Sequence, residues 1–159
     1  MRTLTRTLVW TLLLASLSAF AQGVVTSTDA PQVAAVLAAH DYKFSLDKDG
    51  EGAPLIQLEI AGGYDALLFF YDDDPAQPGY ESLQLYAAFA TDGRVSLQTV
   101  NDWNYNYRFA KVYLDDDLDP VLESDLDLAG GVDLEGALVI FLQNYEAVFE
   151  TFLAEVVGE

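Results

Sequence analysis

DLEGALVIFLQNYEAVFETFLAEV, residues 133–156, decides the class of fold. Within it Leu134, Leu138, Phe141, Leu142, Tyr145, Phe149, Phe152, Leu153 and Val156 recur mostly at intervals of three and four. That spacing gathers them on one side of an amphipathic helix. Asp133 stands where a side-chain oxygen can accept the free N–H groups of the first turn. A stripe this broad needs an extended apolar partner, and the preceding residues supply one in the form of a sheet.

Moving upstream, residues 109–114 and 121–126 flank the turn Asp115-Asp116-Asp117-Leu118-Asp119-Pro120 and predict a hairpin. Residues 97–106 predict a helix, with Leu97, Val100, Trp103 and Tyr107 near one face. Residues 82–89 alternate as a strand. Residues 66–71 are apolar on both faces and predict a central strand. In residues 55–60, Ile56, Leu58 and Ile60 share one face, and Gln57 and Glu59 the other. Residues 42–46 read as the first strand, before the turn at 47–52. A first helix starts at Thr28 or Asp29, takes Pro31 into its first turn and ends near His40. The order helix–antiparallel strand meander–helix–hairpin–helix predicts an α+β fold.

The first residues read differently. Arg2 and Arg6 precede an apolar run over residues 8–17, followed by Ala19-Phe20-Ala21. Basic, apolar and small residues in that order predict a signal peptide over residues 1–21, cut after Ala21. The apolar run is shorter than the about 20 residues that a membrane span needs. A flexible leader at 22–27 and one domain at 28–157 complete the expected organisation. The protein is expected outside the cytoplasm, in the periplasm or secreted, with no membrane span after cleavage. It has no cysteine, so burial rather than disulfides must hold the fold there.

Charge narrows the choice of partner. Seven Lys and Arg stand against 26 Asp and Glu, a net −19. All 26 acids follow Ala21, whereas Arg2 and Arg6 precede it, so the cleaved chain carries 5 − 26 = −21. A polyanion repels nucleic acid and anionic lipid, so neither is an expected partner. Charged partners should be basic peptides, basic protein faces or cations.

The side chains offer little reactive chemistry. One histidine and no cysteine exclude the usual zinc sets. Asp47, Asp49 and Glu51 alternate with Gly52 in sixth place, as in a calcium loop, but the twelfth place holds Leu58 where a bidentate carboxylate is needed. His40 lacks a recognisable nucleophile motif around it. No catalytic residue, metal or cofactor is therefore assigned.

One segment stands out: Asn101-Asp102-Trp103-Asn104-Tyr105-Asn106-Tyr107-Arg108-Phe109. On a continuous helix Asn101, Asn104 and Arg108 would form one polar stripe, with Trp103 and Tyr107 beside it. One reading makes Asn101, Trp103, Asn104 and Arg108 a partner-binding patch, since amides, Arg and aromatics anchor interfaces. The other is architectural: the amides serve the backbone where the helix meets the next strand, and Trp103 enters the core.

These residues also carry a family resemblance. Residues 80–86, Asn101-x-Trp103-Asn104, residues 108–115, residues 122–132 and the long aromatic helix resemble the YbjN domain, over residues 28–157. The resemblance implies a fold like that of type III secretion chaperones. It also implies a regulatory or sensory role without a named reaction, binding of a protein or peptide, and homodimerisation. Taken together, the reading is a non-enzymatic extracytoplasmic binding or helper domain. The alternative is an acidic, cation-binding envelope protein.

Overall fold

In the computed structural model, which describes residues 23–73 and 78–158, the terminal stripe becomes helix α3, Leu134–Phe152. Asp133 caps it by accepting the Gly136 N–H at 3.1 Å. A Cβ on Gly136 would sit 2.7 Å from that carboxylate oxygen, so glycine is what lets the cap approach. A π-helical turn, Leu153–Val157, continues the helix and keeps Leu153 and Val156 buried. Leu134–Val157 reaches a mean hydropathy of 1.2. By length and composition it could cross a membrane, contrary to the expectation that nothing after the leader could. Its apolar side is instead spent on the sheet.

The remaining elements are β1 (Val24–Val25), α1 (Ala30–Ala39), β2 (Phe44–Lys48), β3 (Pro54–Ile60), β4 (Tyr64–Asp73), β5 (Tyr80–Ala88), α2 (Leu97–Asn106), β6 (Lys111–Leu114), β7 (Pro120–Asp127) and β8 (Val132–Asp133). The fold is α+β, with every strand pair antiparallel. The main sheet runs β2-β3-β4-β5-β7-β6, so β7 inserts between β5 and β6. β1 pairs with β8, tying down part of the stretch read as a leader. The expected signal peptide and its cleavage point lie outside the described residues.

Local chemistry explains where the elements begin. α1 carries a capping box: Asp29 accepts the Gln32 N–H at 2.9 Å and the Gln32 side chain returns to the Asp29 N–H at 3.1 Å. The first strand begins at Phe44 rather than at residue 42, because the Tyr42 N–H still bonds the helical carbonyl of Leu37. Similarly, β6 begins at Lys111 rather than at residue 109; Phe109 has a φ of 74°, in the left-handed region outside regular strand geometry. The acidic runs are turns. Asp49 accepts the N–H groups of Glu51 and Ala53, and Asp115 those of Asp117 and Asp119.

All three helices contribute to one core. Val33 and Leu37 of α1, Val100 and Trp103 of α2, and Leu138, Tyr145, Phe149 and Phe152 of α3 meet the face bearing Ile56, Leu58, Leu68, Leu83, Leu85 and Leu122. The Tyr145 hydroxyl donates to the Leu122 carbonyl at 2.9 Å, so its one polar atom is satisfied at depth. Phe149 is the hub of the aromatic part, with Tyr64 at 5.4 Å, Phe89 at 5.9 Å and Phe152 at 6.2 Å between ring centres.

Candidate functional site

The four residues singled out in the sequence do not converge. α2 ends at Asn106 and Tyr107 is extended, so Arg108 lies beyond the helix and the expected Asn101–Asn104–Arg108 stripe does not form. Trp103 is buried, 5.1 Å from the Tyr107 ring and 6.5 Å from Phe152. Its Nε1 meets no acceptor among the described residues. Asn104 reaches across to β6: its Nδ2 donates to the Val112 carbonyl at 2.8 Å and its Oδ1 accepts the Val112 N–H at 2.9 Å. The amide thus stands in for a neighbouring strand along the outer edge of β6. Asn101 is exposed, and the Arg108 guanidinium lies 5.2 Å from the centre of the Phe109 ring. Trp103 enters the core and Asn104, itself exposed, serves the β6 backbone, while Asn101 and Arg108 are exposed beside it.

Phe109 borders a groove of about 360 Å³ with Ser124, Leu126, Ile140, Phe141 and Asn144. The Ser124 hydroxyl fastens the Phe109 carbonyl at 2.5 Å, which holds the residue in its left-handed conformation. His40 lies elsewhere, where its Nε2 meets Glu135 Oε1 at 3.0 Å and links the end of α1 to the start of α3. No group of three His, Asp or Glu that could hold a metal occurs among the described residues.

The larger feature is the second face of the sheet. Residues of alternate parity point away from the helices, and Leu55, Leu67, Phe69, Tyr86 and Tyr113 stand outside the core cluster. Gln57, Leu67, Tyr86, Glu123 and Lys111 form one row across five strands; Leu55, Phe69, Gln84 and Asp125 form the next. Phe69 meets Tyr86 edge-on at 6.0 Å and stacks with Tyr71 at 6.1 Å. Tyr71, at the margin, is 44% exposed.

Glu123 organises the β7 side of this face. Although it lies on the uncovered side, it is only 6% exposed, because its neighbours close over it. Its Oε1 accepts Gln84 Nε2 at 2.7 Å and Lys111 Nζ at 2.6 Å, and its Oε2 accepts the Tyr113 hydroxyl at 2.8 Å. Gln84 also donates to Asp125 at 2.8 Å. A carboxylate so withdrawn from water needs a cation and full hydrogen bonding, and it has both. The bond to Glu123 raises the Lys111 pKa. Loss of water, then the bond to Glu123, raises that of Tyr113. Loss of water, with the charges of Asp115 and Glu123, raises that of Tyr86. These phenols stay neutral in ordinary buffers, with the Tyr113 proton already committed to Glu123.

Sequence reasoning partly anticipated this face, since residues 66–71 read as apolar on both sides. It missed the role of Glu123. The available signal was the shared parity of Gln84 and Tyr86 with Glu123 and Asp125, which only the β5–β7 pairing turns into a cluster.

These features define an α+β domain with one helix-covered sheet face and one face that carries an aromatic patch beside a buried ionic cluster. Residues 29–157 match the family described as "YbjN: Putative bacterial sensory transduction regulator". The chain belongs to the YbjN family. No curated protein matches it.

Proposed function

We propose that this chain is a non-enzymatic, extracytoplasmic binding domain of the YbjN type, which holds a basic, partly apolar protein segment against its open sheet face. One observation carries the reading: Leu55, Leu67, Phe69, Tyr71, Tyr86 and Tyr113 lie on a single face that no helix among the described residues covers. Contiguous apolar surface rimmed by polar groups marks interaction sites. Among the described residues Asp47, Glu59, Asp65, Glu123 and Asp125 share that face with only Lys43 and Lys111, so the attraction is for cationic partners. Aromatic side chains held by fixed neighbours lose little freedom on contact, which favours binding.

A 12-residue peptide alternating Lys and Leu is the probe. Added to the isotope-labelled protein, it should shift backbone amide resonances of β4, β5 and β7, while a Glu/Leu peptide of equal length leaves them unmoved. Combining Phe69→Ala with Tyr86→Ala should weaken the Lys/Leu peptide at least about tenfold, the scale of losing two aromatic anchors. Unchanged affinity in that double variant, or shifts confined to α1 and α3, would refute the assignment.

The extracytoplasmic part rests on the order of Arg2 and Arg6, the apolar run and Ala19-Phe20-Ala21, together with the absence of cysteine. Expressed with its own N-terminus in a Gram-negative host, the protein should be recovered outside the cytoplasm with a mass corresponding to a start at Gln22. Recovery of the uncut chain from the cytoplasm would overturn it.

A further inference from the structure

The two outer edges of the six-stranded sheet are treated unequally. At one end the Val112 N–H and carbonyl of β6 are both taken by Asn104. At the other end β2 has no such cover among the described residues. Register tells which of its backbone groups look outward. The Lys43 carbonyl accepts the Glu59 N–H, and Ser45 and Asp47 pair with Gln57 and Leu55 on the same inward parity. Phe44, Leu46 and Lys48 therefore direct their backbone groups away from the sheet. The Lys48 N–H is occupied by the Asp47 carboxylate at 2.8 Å, while those of Phe44 and Leu46 have no acceptor among the described residues. Leu46 is 56% exposed at this edge, and Ser45, Asp47 and Lys48 are exposed with it.

We infer that β2 is a self-pairing edge: two copies of this chain join antiparallel through β2, with a two-fold axis at Ser45. Of the registers that set outward groups against outward groups, this one uses the donors that are free. Phe44 faces Leu46 of the other copy, and each exchanges N–H and carbonyl with the other. The register leaves the occupied Lys48 N–H out of the ladder. Side chains agree with it as well. Phe44 and Leu46 meet their counterparts on the helix-covered side, while Lys43 comes opposite Asp47 on the open side. A register centred on Asp47 would place two carboxylates face to face on the axis, which disfavours it. The isologous arrangement satisfies both copies with one set of contacts.

Charge also directs copies to this edge. Of the five Lys and Arg after residue 21, Lys43 and Lys48 belong to β2 or adjoin it. It is thus a locally balanced strip on a body of strong negative charge, where two like-charged copies repel least. Long-range repulsion between the bodies remains, so association should strengthen when salt screens it. The contact is a short ladder without a large apolar core, which places it among weak, concentration-dependent interfaces.

Sedimentation of the purified protein should show its average mass rising toward the dimer between about 10 μM and 1 mM, more at 0.3 M than at 0.02 M NaCl. Leu46→Pro removes a donor that faces outward and spares the β2–β3 ladder, so the variant should fold but associate at least about tenfold more weakly. Ser45→Cys introduces the sole thiol on the axis, where opposed residues stand about 4.5 Å apart between Cα atoms, and should form a cross-linked dimer under mild oxidation. Leu97→Cys, exposed on α2, should not. Wild type that stays monomeric throughout, or Leu46→Pro that folds and associates like wild type, overturns the inference. Should Leu46→Pro not fold, the cysteine pair decides: equal cross-linking at positions 45 and 97 refutes pairing at β2.

Discussion

Phe149→Ala should destabilise the protein by about 3–5 kcal/mol, measured from urea denaturation midpoints. Its side chain is fully buried on α3 and touches the rings of Tyr64, Phe89 and Phe152, which come from the sheet, the segment after β5 and the same helix. Truncation opens a cavity where those elements meet. Because they are held by separate strands and turns, the walls cannot collapse onto it. A domain of this size has a total stability on the order of 5–15 kcal/mol, so the loss is a large part of the whole. Phe69→Ala provides the contrast. That ring lies on the face without helices, so its removal should cost about 1 kcal/mol, since part of its surface was never buried. Equal costs for the two variants would mean that the uncovered face is packed, and the proposed binding site would fall with it.

Asn104→Ala should cost about 1–3 kcal/mol, from the loss of two hydrogen bonds worth about 0.5–1.5 kcal/mol each. Asn104→Asp is the sharper variant. Its carboxylate can still accept the Val112 N–H, but it faces the Val112 carbonyl oxygen, now 2.8 Å from Nδ2, without a proton to donate. It should be no more stable than the alanine variant despite its closer shape. Either substitution also bares a strand edge that the amide had occupied, so heated samples should scatter light earlier than wild type. Denaturation within about 0.3 kcal/mol of wild type in both variants would show that water serves Val112 as well as Asn104 does.

What was legible in the sequence follows from the range of the interactions involved. The caps at Asp29 and Asp133, the stripe of α3 and the alternation of Ile56, Leu58 and Ile60 depend on neighbours a few residues away, and they stand where the sequence places them. The 3.6-residue period was also enough for α2, but not for where it stops. The continuation to Arg108 failed because Tyr107 turns extended and Phe109 takes a positive φ, which side-chain spacing does not reveal. The placement of β7 between β5 and β6 depends on pairing residues about 40 positions apart, such as Gln84 with Asp125, and no local pattern encodes it. The site shared that fate. Asn104 could be read as recognition or as backbone service until Val112 was found beside it. Glu123 looked like one acid among 26 until Gln84, Lys111 and Tyr113 surrounded it.

The amide that shields β6 has a consequence for how far assembly can go. A sheet with two sticky ends can add copies without limit and grow into a fibre. Here the chain's own Asn104 fills the Val112 position at one end, so a pair joined at the other end is left with outer margins that are already partly occupied. Two sets of six strands would make a twelve-stranded ribbon bounded on both sides by β6, where Asn104 already occupies Val112.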